Sequence, residues 1–114
     1  MKFHILLIQY FLTALLIFVF PVYYAQAADN VVTVEIFKFK FTPQQITVKP
    51  GTTIRWLNKE KRQYHSVWFE QLGEAEPDYF FPDEYYDRTF TKQGSFPYRC
   101  GPHPKMTGVV HVKK

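Results

Sequence analysis

A single cysteine, Cys100, in a chain of 114 residues excludes an intrachain disulfide. There is no basic stripe interleaved with exposed aromatics, so nucleic acid is not expected as a partner. The net charge is only +4. After residue 30 there is no sustained helical periodicity, which argues against a bundle, and there are no internal repeats or low-complexity segments. The length leaves room for one domain. A domain of this size holds its core with difficulty unless a staple, metal or partner assists it. Its 20 Phe and Tyr residues supply large buried area, but Cys100 has no covalent partner within the chain.

The one long apolar run lies at the front. Lys2 and His4 precede an apolar stretch from Ile5 to Phe20, then Pro21 and the small-x-small triplet Ala25-Gln26-Ala27. This is the pattern of an export signal, with cleavage expected after Ala27 and a mature domain spanning 28–114. The alternative is an uncleaved membrane anchor, since the stretch is long enough to span a bilayer. An exported location, such as a periplasm, makes a lone thiol a liability unless it is buried, paired with another chain or bound to metal.

Beyond the signal the chain reads as short strands. Val32, Val34 and Ile36 alternate with polar residues, and Phe37, Phe39 and Phe41 do so with the opposite parity. A β-bulge or a change of sheet is expected where the parity switches. Pro43 breaks this run. Lys49-Pro50-Gly51-Thr52 suits a type II turn, and Thr52 to Asn58 is the return strand. Glu70 to Glu84, with Gly73, Pro77 and Pro82, reads as a solvated acidic loop holding at most a helical turn. Tyr85–Thr91, Ser95–Cys100 and Gly108–Val112 complete an all-β chain, which argues for an antiparallel sandwich or barrel, and a β-sandwich is expected.

Phe96, Tyr98 and Cys100 share one strand face, so the thiol is delivered to the core at the strand end. Cys100-Gly101-Pro102-His103-Pro104-Lys105-Met106 then spaces a thiolate, an imidazole and a thioether at three-residue intervals, with two prolines restraining the loop. A fourth ligand comes from His65 rather than His111, which alternates with Val110 and Val112 and so faces away from the core. Two imidazoles, a thiolate and a weak axial thioether select copper and suit one-electron transfer. Such a set leaves no open position for a substrate, which argues against an enzyme and against a small-molecule substrate.

These residues resemble those of the cupredoxins, the blue copper proteins, and in particular their amicyanin-like members, which share the Cys-x-x-His-Pro-x-Met loop length. The segments Val48–Asn58 and Thr89–Gly94 are also similar. The resemblance implies a Greek-key antiparallel β-sandwich (cupredoxin-like), one type 1 copper per chain and exchange of electrons with redox protein partners, a dehydrogenase or a c-type cytochrome, through the imidazole of His103. The chain is expected to act as a monomer. Two positions depart from the pattern: Ser66 stands where the family has Asn, and Gly101 where it has a hydroxyl residue, and together these brace the ligand loops. Lys105 replaces an apolar residue beside His103. The docking face is expected to comprise Pro102, Pro104 and Lys105, with Lys61 and Arg62 extending a basic rim. The same ligands would also serve copper storage, delivery or sensing.

Overall fold

The computed structural model describes residues 30–114 together with Pro21. The signal segment and the domain boundary at Ala28 lie outside the described residues. Among the described residues no helix is long and apolar enough to cross a membrane.

Seven strands follow in order: β1 Val31–Phe37, β2 Lys40–Thr42, β3 Gln45–Val48, β4 Thr52–Asn58, β5 Tyr85–Phe90, β6 Gly94–Arg99 and β7 Thr107–Val112. They form the expected sandwich, one sheet in the order β2-β1-β4-β5 and the other β3-β7-β6. The pairing is mixed rather than wholly antiparallel, because β1 runs parallel to β4 and β3 parallel to β7. Alternation reports which face of a strand is buried and is silent on the direction of its neighbour, so the sequence carried no sign of this.

The parity switch after Ile36 is neither a bulge nor a change of sheet. It is a two-residue hairpin: Phe37 pairs with Lys40, and the intervening Lys38 and Phe39 both adopt positive φ, 51° and 57°. Such a turn favours Asn-Gly, and Lys-Phe gives no such signal. At the other end of the sheet the type II turn is as expected, with Gly51 at φ 92° and the Thr52 amide donating to Lys49 O at 3.2 Å. Pro97 sits on the edge strand β6. Its neighbour two residues on, Arg99, turns its own amide outward to Trp68 O, so the donor missing at Pro97 faces the open edge and breaks no ladder bond.

Between the sheets lie Val34, Ile36, Ile54, Trp56, Phe69, Phe90, Tyr98 and Val110, each 5 % exposed or less. Trp56 is the centre, with the rings of Phe69, Tyr86, Phe90 and Tyr98 around it at 5.4–6.3 Å. Burial pushes the Tyr98 phenol up to about 12, partly offset by the Trp56 N–H, which approaches it without reaching hydrogen-bond geometry.

The acidic segment is not simply a solvated loop. It opens with a 3₁₀ turn, Glu70–Leu72, and its carboxylates are used by the chain itself. Glu70 accepts Arg99 Nε at 2.7 Å, and Glu74 makes a bidentate pair with Arg88, whose guanidinium lies over the Phe69 ring at 4.5 Å. Arg88 holds the Glu74 carboxyl below its ordinary range. A carboxylate with a depressed folded-state pKa contributes stability above its unfolded pKa and loses it as pH falls through the folded value. Glu74→Gln is therefore expected to cost about 0.5 kcal/mol at neutral pH, discounted for solvent screening. Urea unfolding at neutral and strongly acidic pH checks this, the difference from wild type closing in acid.

Candidate metal centre

Strand β6 ends at Arg99, and Cys100 follows it, fully buried. The loop to β7 is closed by two backbone bonds, Cys100 N–H to Met106 O and Met106 N–H to His103 O, both 2.9 Å. This brings His103 back over the thiol, with Nδ1 3.5 Å from Sγ. From the other side His65, also fully buried, places its Nδ1 3.6 Å from the same sulfur. The ligand-capable atoms of His65, Cys100 and His103 all lie within 4.8 Å of one another. Met106 is buried on the same loop at 5 % exposure. His111 is elsewhere, its ring held by Ser95 Oγ at 2.7 Å and Gln45 Oε1 at 3.1 Å.

The two departures at Ser66 and Gly101 compensate each other. Buried Ser66 accepts the Gly101 N–H on Oγ at 2.8 Å, and its own amide points at Cys100 Sγ at 3.4 Å. One hydroxyl thus ties the two ligand segments together, and the bond runs to backbone, so no side chain is needed at 101. Arg99 adds a second tie, donating Nη1 to the carbonyls of Cys100 at 3.2 Å and Gly101 at 3.3 Å while its guanidinium lies over Trp68.

Glu60 and Phe39 also reach this site, and neither was singled out by the sequence. Glu60 Oε1 lies 3.3 Å from His65 Nε2 and accepts the Phe39 N–H at 2.8 Å. A carboxylate on the far ring nitrogen fixes the His65 tautomer and leaves Nδ1 free to face the sulfur. The Phe39 ring, on the hairpin tip, meets both imidazoles edge-on, at 5.7 Å from His65 and 5.0 Å from His103. Glu60 sits in a charged run, Lys59 to Arg62, where nothing marks one acid as turned inward.

Burial lowers the His65 pKa, only partly offset by Glu60, and raises that of the Cys100 thiol against the pull of the Ser66 and His103 amides. Burial thus favours the neutral forms of His65 and Cys100, and loading a soft cation at the thiol would release its proton. A buried thiol with two imidazole nitrogens aimed at it, and a buried methionine on the same loop, are the donor chemistry of a type 1 copper site.

Sandwich and donor set together define a blue copper protein. The model of the copper binding proteins, plastocyanin/azurin family, matches residues 28–113, and the chain belongs to that family. Amicyanin from Paracoccus denitrificans is 38 % identical over 93 residues, covering 78 % of this chain and 70 % of that protein. Amicyanin from Paracoccus versutus is 36 % identical over 97 residues, covering 82 % and 73 %. The crystal structure of the latter superposes with a TM-score of 0.65 at 33 % identity, over 78 % of this chain and 86 % of that one. The chain is accordingly a one-copper protein and not an enzyme.

Proposed function

We propose that this chain is an exported one-electron carrier that holds its copper through His65, Cys100, His103 and Met106 and exchanges electrons with protein partners at the edge of His103. The observation that carries this reading is the convergence of two imidazole Nδ1 atoms, 3.6 and 3.5 Å away, on one fully buried thiol. A site whose ligands all come from the protein, in a rigid sandwich, changes little between oxidation states and offers no position to a substrate. His103 is half-buried, and the exposed rings of Phe39 and Tyr64 lie beside it. With Pro102 and Pro104 they make a small apolar face. Lys61, Arg62 and Lys105, all exposed, add positive charge to the chain. A small apolar contact suits the brief encounters of electron transfer, and positive charge steers acidic partners such as a dehydrogenase or a c-type cytochrome. Cleavage after Ala27 would deliver the domain to the periplasm as a monomer.

One equivalent of Cu(II) added to the purified protein is expected to give an intense blue band at one copper per chain and a reversible one-electron couple. Weak colour would overturn the ligand assignment. A blue protein that hands its copper rapidly to an apo acceptor and shows slow electron self-exchange would instead be a delivery protein.

A further inference from the structure

Glu70 and Glu74 each hold an arginine, but among the described residues no cation lies within ion-pair distance of Glu76. Its carboxylate goes elsewhere. Oε1 accepts the Tyr79 O–H at 3.0 Å, and Tyr79 stacks on Tyr64 with centroids 5.2 Å apart and planes within 3°. The same carboxylate lies over the Cα of Gly101. A methyl group at 101 would collide with Oε1, stand 3.1 Å from Glu76 Cδ and 2.8 Å from Ser66 Oγ. The backbone at 101 is outside the left-handed region, so conformation does not require glycine there. The end of the Glu76 side chain instead occupies the space that a side chain at 101 would fill, and it would have to swing away to admit one.

A negative charge next to the residue that follows Cys100 acts on the metal's oxidation state. When the site gives up one electron no bond forms or breaks and no proton moves, and its charge rises by one. A fixed carboxylate nearby favours the more positive state. Resting on the copper reading above, we infer that Glu76 is a potential-setting residue, placed over the ligand loop by the absence of a side chain at Gly101 and biasing the site toward its oxidised form.

Glu76→Gln keeps the size and the acceptor for Tyr79 and removes the charge. At fixed ambient potential and low salt, the ratio of reduced to oxidised protein is expected to rise about threefold, the scale of one solvent-screened charge. That is a rise of about 28 mV, at ~59 mV per tenfold for one electron. The difference from wild type should shrink as ionic strength rises, which a purely steric role would not produce. Gly101→Ala should displace the carboxylate while also pressing on Ser66 Oγ, so its own potential is not diagnostic, but adding Glu76→Gln to it should raise the potential less than Glu76→Gln does alone. Equal potentials for wild type and Glu76→Gln at low salt, or additive shifts in the double variant, would overturn the inference. If Gly101→Ala does not fold, Glu76→Gln decides alone. In the copper-free protein the Gly101 amide resonance should move on Glu76→Gln, and an unmoved resonance overturns the contact whatever metal binds. A blue wild type with unchanged potentials removes this inference and leaves the copper reading standing, whereas a colourless wild type removes the copper reading and leaves the amide measurement to judge the contact.

Discussion

Cys100→Ser is expected to abolish the intense visible colour of the copper-loaded protein and to lower copper retention by on the order of a hundredfold or more, beyond the range seen when only an outer contact of a metal ligand is lost. The colour depends on sulfur bonded to copper, and a serine oxygen is too hard a donor to replace it. The fold should survive. The side chains are nearly the same size, and a hydroxyl at 100 still gives the Ser66 amide an acceptor in the place of the sulfur 3.4 Å away. The loop closure through Met106 O and His103 O is backbone and unaffected. Far-UV circular dichroism should match wild type while the visible spectrum empties. A Cys100→Ser protein that kept its blue band would move the chromophore away from this loop altogether. On the proposed ligand set, Met106→Leu supplies the graded comparison, retaining copper with an altered spectrum because only the weakest of the four donors is exchanged.

How much of this was legible in the sequence follows from how local each signal is. The Cys100, His103 and Met106 set is contained in one loop, and its three-residue spacing between turn-forming prolines survives without knowledge of the fold. His65 is legible as the fourth donor because the competing histidine, His111, lies mid-strand with an apolar residue on either side. The hairpin at Lys38-Phe39 was illegible because its residues are not those the turn prefers, and with it went the placement of Phe39 over the two imidazoles. Parallel pairing of β1 with β4 was hidden for a different reason: the pattern along β1 would be the same whichever way its neighbour ran. The glutamates were the least readable. An acid in a loop looks the same whether it meets water, as expected for 70–84, or Arg99, Arg88 and the Cα of Gly101, as found. The departures at Ser66 and Gly101 were visible as anomalies, and only the 2.8 Å bond between them shows that they solve the same problem together.

Trp56→Ala is expected to have the largest effect on stability. Trp56 has no exposed surface, lies on β4 between β1 and β5, and is enclosed by four rings from β4's own sheet, the opposite sheet and the Phe69 segment. Truncating such a side chain costs about 4 kcal/mol in lost transfer energy and residual cavity. Small domains are stable by only about 5–15 kcal/mol in total, so the copper-free variant should unfold at a far lower urea concentration than wild type. Trp56→Phe separates packing from polarity. The indole N–H has no hydrogen-bond partner, and leaving such a donor buried carries a penalty of about 1–3 kcal/mol. Phenylalanine gives up ring area but removes that donor, so its cost should be well under half that of alanine. The core also reaches the metal site through one strand, since Tyr98, packed on Trp56 at 5.4 Å, is two residues from Cys100. Copper that binds only the folded state adds stability in proportion to the logarithm of its excess over the dissociation constant, about 4 kcal/mol at a thousandfold excess. Saturating copper should therefore return much of what Trp56→Ala loses, and urea titrations of both forms measure this directly. A copper-free Trp56→Ala protein as stable as wild type would mean that the four-ring cluster is not the centre of the core. A variant that copper fails to stabilise would mean that the cavity has loosened the strand delivering Cys100.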